Sequence, residues 1–103
     1  MAVYVLAQFK IDDRARYQRY AARFAESLDG FDGRLIAADE DPTFIEAGSA
    51  VDKVVLIAFD DRQEFERWAT SPIYQEISKD RIAATTGTVL LIHGTDQTPT
   101  RPS

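Results

Sequence analysis

The chain has no cysteine and a single histidine. The first absence excludes disulfides, thiolate metal sites and thiol nucleophiles. The second excludes His-rich metal sites and any acid/base pair built from two imidazoles. Basic charge is also short: 12 Lys and Arg stand against 17 Asp and Glu, a net charge of −5. A nucleic-acid module needs a positive field, so no nucleic-acid partner is expected. No apolar run approaches the ~18 residues that signal a membrane span, so no membrane partner is expected either. Met1, Ala2, Val3 and Tyr4 show neither the basic region nor the small-residue cleavage site of a secretion signal, and a cytoplasmic protein is expected. There is no Gly-rich phosphate loop, dinucleotide fingerprint or zinc spacing, so no cofactor and no metal is expected.

What is present is enough for one domain: 103 residues, 45% of them apolar. From Val3 to Ile11, Val3, Val5, Ala7, Phe9 and Ile11 alternate with Tyr4, Leu6, Gln8 and Lys10, the period of a strand. Asp12 or Asp13 offers an N-cap oxygen. From Arg14 the period lengthens, and Tyr17, Tyr20, Ala21, Phe24 and Leu28 share the inward face of a helix. Gly30 suits a left-handed cap after it. Leu35 to Ala38 and Thr43 to Ala47 are two short strands around the turn Asp39, Glu40, Asp41, Pro42, and they predict a hairpin. Gly48 to Asp52 is a loop, and Lys53 to Phe59 is the strongest strand. Asp60 or Asp61 caps a second helix, with Glu64 completing a capping box and Phe65, Trp68 and Ala69 facing inward. Ser71 and Pro72 break that helix and start another, which runs to about Ala84 with Tyr74, Ile77 and Arg81 on one side. Thr88 to His93 is the last strand. Residues 1–94 form the domain, and 95–103, Thr- and Pro-rich, read as a flexible tail. The order β-α-β-β-α-β, with its second helix broken at Ser71-Pro72, predicts a ferredoxin-like α+β fold: one antiparallel sheet with the helices on one face.

Two strands break the expected alternation. Val54 to Phe59 and Val89 to Ile92 are apolar on both faces. Helices cover one face only, so the other exposes Val54 and Leu56 with either Leu90 and Ile92 or Val89 and Leu91. A homodimer through the sheet faces is the expectation, against a ligand-lined groove in a monomer.

Asp13, Tyr17 and Tyr20, then Gly33-Arg34, Glu46, the strand Val54 to Phe59 and the run Trp68, Ser71, Pro72, Tyr74, Gln75 with Arg81 following carry a resemblance over roughly Val3 to Gly94. On these residues the chain resembles the domain-of-unknown-function 1330 family of the dimeric α+β barrel superfamily. The resemblance implies a ferredoxin-like subunit and a sheet-to-sheet dimer. It implies no particular activity, since the wider superfamily includes monooxygenases, isomerases and stress-related proteins. The family's usual Gly-Gly-Arg is Asp32-Gly33-Arg34 in this chain, and its frequent carboxylate before the strand-end Phe is Ala58.

Candidate ligand-binding residues are Arg34, Glu46, Trp68, Tyr74 and Arg81, around a pocket between sheet and helices. Arg34 and Glu46 lie on neighbouring strands of the expected hairpin; they either clamp a small anion or form a structural ion pair. Trp68 and Tyr74 flank Ser71-Pro72 as an aromatic wall or as plain core. Glu46 and His93 are the candidate catalytic bases. Arg16, Arg19 and Arg23 form a basic ridge that Asp12 and Glu26 are placed to neutralise. Asp39, Glu40 and Asp41 lack the oxygen spacing of a calcium loop. Three functions remain open: a binding protein for a small anionic or aromatic molecule, a cofactor-independent monooxygenase- or isomerase-like enzyme, and a protein-interaction module. Whether the chain is an enzyme is not decided by its sequence.

Overall fold

The computed structural model describes residues 1–46, 48 and 51–95. The elements are β1 (Val3–Ile11), α1 (Arg14–Ser27), β2 (Arg34–Asp39), β3 (Lys53–Phe59), α2 (Arg62–Ala69), α3 (Pro72–Ala84) and β4 (Thr85–His93). The strands form one antiparallel sheet in the order β2-β3-β1-β4, the ferredoxin-like α+β arrangement. No helix among the described residues is long and apolar enough to cross a membrane.

Helix starts are fixed by side-chain oxygens. Asp13 Oδ1 accepts from the Arg16 amide at 3.1 Å and Asp61 Oδ1 from the Glu64 amide at 2.9 Å. Ser71 Oγ accepts from the Tyr74 amide at 3.3 Å, with Pro72 opening α3 as the break predicts. Gly30 has φ of 84°, a left-handed residue after α1 that only glycine adopts readily.

The helices lie on the face that carries Val3, Val5, Ala7 and Phe9 of β1 with Ile57 and Phe59 of β3, and all six are buried there. Trp68 joins this core at 2% exposure. Its Nε1 donates to Ser27 Oγ at 3.2 Å, and that hydroxyl donates to the Phe24 carbonyl at 2.6 Å. The buried Trp68 and Ser27 polar groups thus both have partners, which removes the penalty for burying them.

Two sequence expectations are corrected. Thr43 to Glu46 form no strand, and Ala47 lies outside the described residues. β2 pairs instead with β3, Leu35 opposite Ile57 and Ala38 opposite Val55, across a register shift between Leu35 and Ala37. The reason is burial, since β2 stands at the edge of the sheet and takes as its neighbour the strand that packs into the core. β3 offers seven residues, and its inward side chains enter the core, whereas Phe44 and Ile45 remain 51% and 88% exposed. The last strand begins at Thr85 rather than Thr88. Its opening residues, Thr85, Thr86 and Gly87, carry no apolar signal, yet they pair with Ile11, Lys10 and Phe9. Gly87 sits so close to β1 that a Cβ would lie 2.6 Å from Phe9 Cα.

Register also settles which residues share the outer face. Leu56, Leu6 and Leu90 line up across β3, β1 and β4, and Tyr4 stands opposite Ile92. Leu90 and Ile92 are 46% and 41% exposed. The expected tail lies outside the described residues beyond Thr95.

Candidate functional site

Between the sheet and the helices is a cavity of about 140 Å³. Val5, Ala7, Val55 and Ile57 of the sheet form its floor, and Tyr17, Tyr20 and Phe24 of α1 form one wall. Trp68 of α2 and Tyr74 and Arg81 of α3 close the other side. These positions follow from helical spacing. Tyr17, Tyr20 and Phe24 recur every three or four residues, and Tyr74 and Arg81 are two turns apart, so each set projects from one face.

The aromatic groups form one connected array. The Trp68 and Tyr74 rings are 3.9 Å apart between centroids, and Tyr20 meets Tyr74 edge-on at 6.3 Å. The Tyr20 and Tyr74 hydroxyls are 3.3 Å apart. Burial, and then the neighbouring Tyr74, push the Tyr20 phenol far above its ordinary value, while Arg81 pulls weakly the other way. Tyr20 therefore stays protonated at any physiological pH and acts as a hydrogen-bonding group rather than a base.

Two cations reach this space. Lys53 Nζ lies 5.0 Å above the Tyr17 ring and 3.8 Å from Glu40 Oε2, with only 14% of the side chain exposed. Arg81 lines the cavity with its Nε buried and without a hydrogen-bond partner. Among the described residues, none that lines the cavity is a carboxylate.

Of the residues singled out in the sequence, the fold brings Trp68, Tyr74 and Arg81 together at this cavity. Arg34 is placed elsewhere: it is exposed on β2 opposite Ala58, on the outer face of the sheet. Glu46 is exposed in the loop after β2. With Thr43 to Glu46 off the sheet, the expected neighbour of Arg34 is gone, and the two side chains form no ion pair. His93 is exposed at the end of β4, opposite Val3, and is not among the lining residues. Lys53 was the residue missed. Its signal was present, since period two puts it on the same side of β3 as Val55, Ile57 and Phe59, a charge in an otherwise apolar inward row.

The chain matches the family described as Domain of unknown function (DUF1330) over residues 2–95. It belongs to that family. No curated protein matches its sequence significantly. Solved structures share the fold of this DUF1330 protein at low identity. A protein of unknown function from Rhodopseudomonas palustris is 13% identical with a TM-score of 0.78, the match covering 93% of this chain and 84% of that one. A dimeric ferredoxin-like protein of unknown function from Jannaschia sp. CCS1 is 15% identical with a TM-score of 0.69, covering 91% and 100%. SnoaB, a cofactor-independent oxygenase from Streptomyces nogalater, is 18% identical with a TM-score of 0.63, covering 95% and 97%.

Charged groups of the DUF1330 chain on the helices α1 and α3 pair with one another on the surface. Arg16 Nε lies 2.8 Å from Asp80 Oδ1 and Arg19 3.4 Å from it, while Arg23 pairs with Glu76 at 2.8 Å and Glu26 at 3.1 Å. The hydrogen bond from Arg16, reinforced by Arg19, holds the Asp80 carboxyl below its ordinary value. The ridge thus ties α1 to α3. Glu26 is a partner as expected, whereas Asp12 accepts from the Thr86 hydroxyl at 2.6 Å. Glu40 pairs with Arg14 at 3.3 Å, and no group of acidic or imidazole side chains among the described residues is arranged to hold a metal ion.

Proposed function

We propose that this DUF1330 protein is a homodimer, paired through its sheet faces, that binds a small anionic or aromatic molecule in the cavity between sheet and helices of each subunit. The observation that carries the binding reading is Arg81: a buried guanidinium nitrogen without a partner, in a cavity walled by aromatic rings. An unmet buried donor costs free energy that a bound acceptor recovers. Pairing through the sheet is supported by the apolar row Leu56, Leu6, Leu90 on a face the helices leave open, and by the dimeric ferredoxin-like neighbour. Trp68 is the only tryptophan, and it lines the cavity, so its fluorescence reports occupancy directly. Saturable quenching by small aromatic or anionic compounds is expected, with a dimer mass by light scattering at micromolar concentration. A monomer removes the assembly, and an emission indifferent to every compound removes the binding site.

A second reading is a cofactor-independent oxygenase-like enzyme, favoured by the likeness to SnoaB and by the largely apolar lining of the cavity. Glu46 and His93 are exposed outside that space, so they leave this reading without its expected bases. Oxygen uptake in the presence of hydroxylated aromatics tests it, and uptake no faster than the protein-free rate removes it.

A further inference from the structure

Building on the cavity as a binding site, we infer that its ligand is a single-ring aromatic acid whose anionic group sits on Arg81, where the inner cavity meets a second one beside β4. Size sets the ring count. The inner cavity is about 140 Å³, close to the ~150 Å³ apolar cavity that takes up one benzene. One six-membered ring matches that volume better than a fused pair does. The walls favour a flat aromatic body over an alkyl chain, because the rings of Trp68, Tyr74 and Phe24 present faces and edges to it.

Charge sets the head group. The chain carries five more acids than bases, yet among the described residues none that lines either cavity is acidic. Of the two cations at the inner cavity, Lys53 is already engaged by Glu40 and by the Tyr17 ring. Arg81 is not engaged in this way, and its Nε has no partner. A guanidinium accepts a carboxylate through two parallel hydrogen bonds, a match a point charge does not offer.

Arg81 also fixes the orientation. It lines a second cavity of about 160 Å³ with Thr85, Gly87 and Thr88, and the two cavities share Phe9, Arg81 and Val89. An acid on Arg81 therefore points its ring inward and its oxygens toward the threonine side. Gly87 lines that outer space with backbone alone, since a side chain there has no room beside β1. The Tyr20 and Tyr74 hydroxyls satisfy each other with one hydrogen, which leaves one to donate to a ring substituent or carboxylate oxygen.

The test compares benzoate, benzamide, hexanoate and 2-naphthoate by Trp68 fluorescence and calorimetry on the full chain. Benzoate is expected to bind, with benzamide at least ~10-fold weaker because it loses the charge-assisted pair. Hexanoate and 2-naphthoate are expected to be weaker as well. Arg81→Gln should bring benzoate down to the level of benzamide. Equal binding of benzoate and benzamide to the unaltered protein overturns the acid assignment while leaving the cavity a binding site, whether or not Arg81→Gln folds. Tighter binding of 2-naphthoate overturns the single ring, and tighter binding of hexanoate overturns the aromatic body. Silence toward all four compounds, and toward any wider set, removes the binding site itself.

Discussion

The two faces of the sheet are built from the same strands and have opposite fates. On the inner face, Val3, Val5, Phe9, Ile57 and Phe59 are sealed under helices, and Val5, Phe9 and Ile57 line a cavity that two cations reach. On the outer face, Leu6, Leu56 and Leu90 form an equally apolar row with no helix over it. The inner face is finished by the chain itself, with paired polar groups at Trp68 and Ser27. The outer face is left open by the described helices, and in the proposed pairing a second subunit's sheet covers it. A side chain on β1, β3 or β4 therefore acts on folding or on assembly according to its parity along the strand.

The largest effect is expected on the inner side. Trp68→Ala removes a side chain that is 2% exposed and touches Phe24, Phe59, Phe65 and Tyr74. It should cost ~3–5 kcal/mol in urea unfolding, because the ring's burial is lost and the neighbours do not fully close the gap. Trp68→Phe should recover most of this. A loss below ~1 kcal/mol would mean that the array is not the keystone of the inner layer.

A smaller but qualitatively different effect is expected on the outer side. Leu90 is 46% exposed in the single subunit, so Leu90→Glu has little to disturb within it. If the sheets meet, the carboxylate is buried unpaired, and dimer dissociation should rise at least ~50-fold. Analytical ultracentrifugation reads the mass. Dimers that persist with unchanged affinity would place the interface elsewhere and give the outer face another occupant.

The same contrast explains which features were legible in the sequence. β1 alternates strictly, and the Asp13, Asp61 and Ser71 caps combine with clear helical spacing, so those elements stand where local chemistry puts them. The α2–α3 break follows from Ser71-Pro72 alone. Thr43 to Ala47 has the look of a strand, but pairing without burial holds a strand weakly, and Phe44 and Ile45 stay exposed while β3 carries its inward side chains into the core beside β2. The opening of β4 is invisible for the converse reason: Thr85, Thr86 and Gly87 pair by backbone, and Gly87 contributes by lacking a side chain. At the cavity, Trp68, Tyr74 and Arg81 were legible because they share faces of α2 and α3. Arg34 and Glu46 were grouped with them through a hairpin that does not form. Lys53 was passed over because a charge at a strand's first residue is usually read as its solvent-facing start.

The smallest expected effects concern charge around the inner layer and separate by sign. Asp80 bridges the two helices that roof the cavity, and Arg16 and Arg19 hold its carboxyl below the ordinary value of 3.8. A depressed carboxyl stabilises the fold at neutral pH, and that contribution is lost as pH falls through its folded-state value. Asp32, just before β2, is the opposite case. Its Oδ1 is buried without a partner, and burial, then Asp60 and Glu64 nearby, raise its carboxyl above 3.8. A raised carboxyl opposes folding at neutral pH, and the opposition fades as pH falls through its folded-state value and the group takes up a proton. Asp80→Asn should therefore unfold at lower urea than the parent protein at pH 7, with the gap closing in acid and in ~1 M salt, which screens exposed pairs. Asp32→Asn should unfold at higher urea at pH 7, with its advantage disappearing in acid. The two difference curves, measured by urea midpoints from pH 7 to 3, should approach zero from opposite sides. Curves of the same sign would mean that the charge network does not distinguish the helix-tying pair from the crowded acids beside β2.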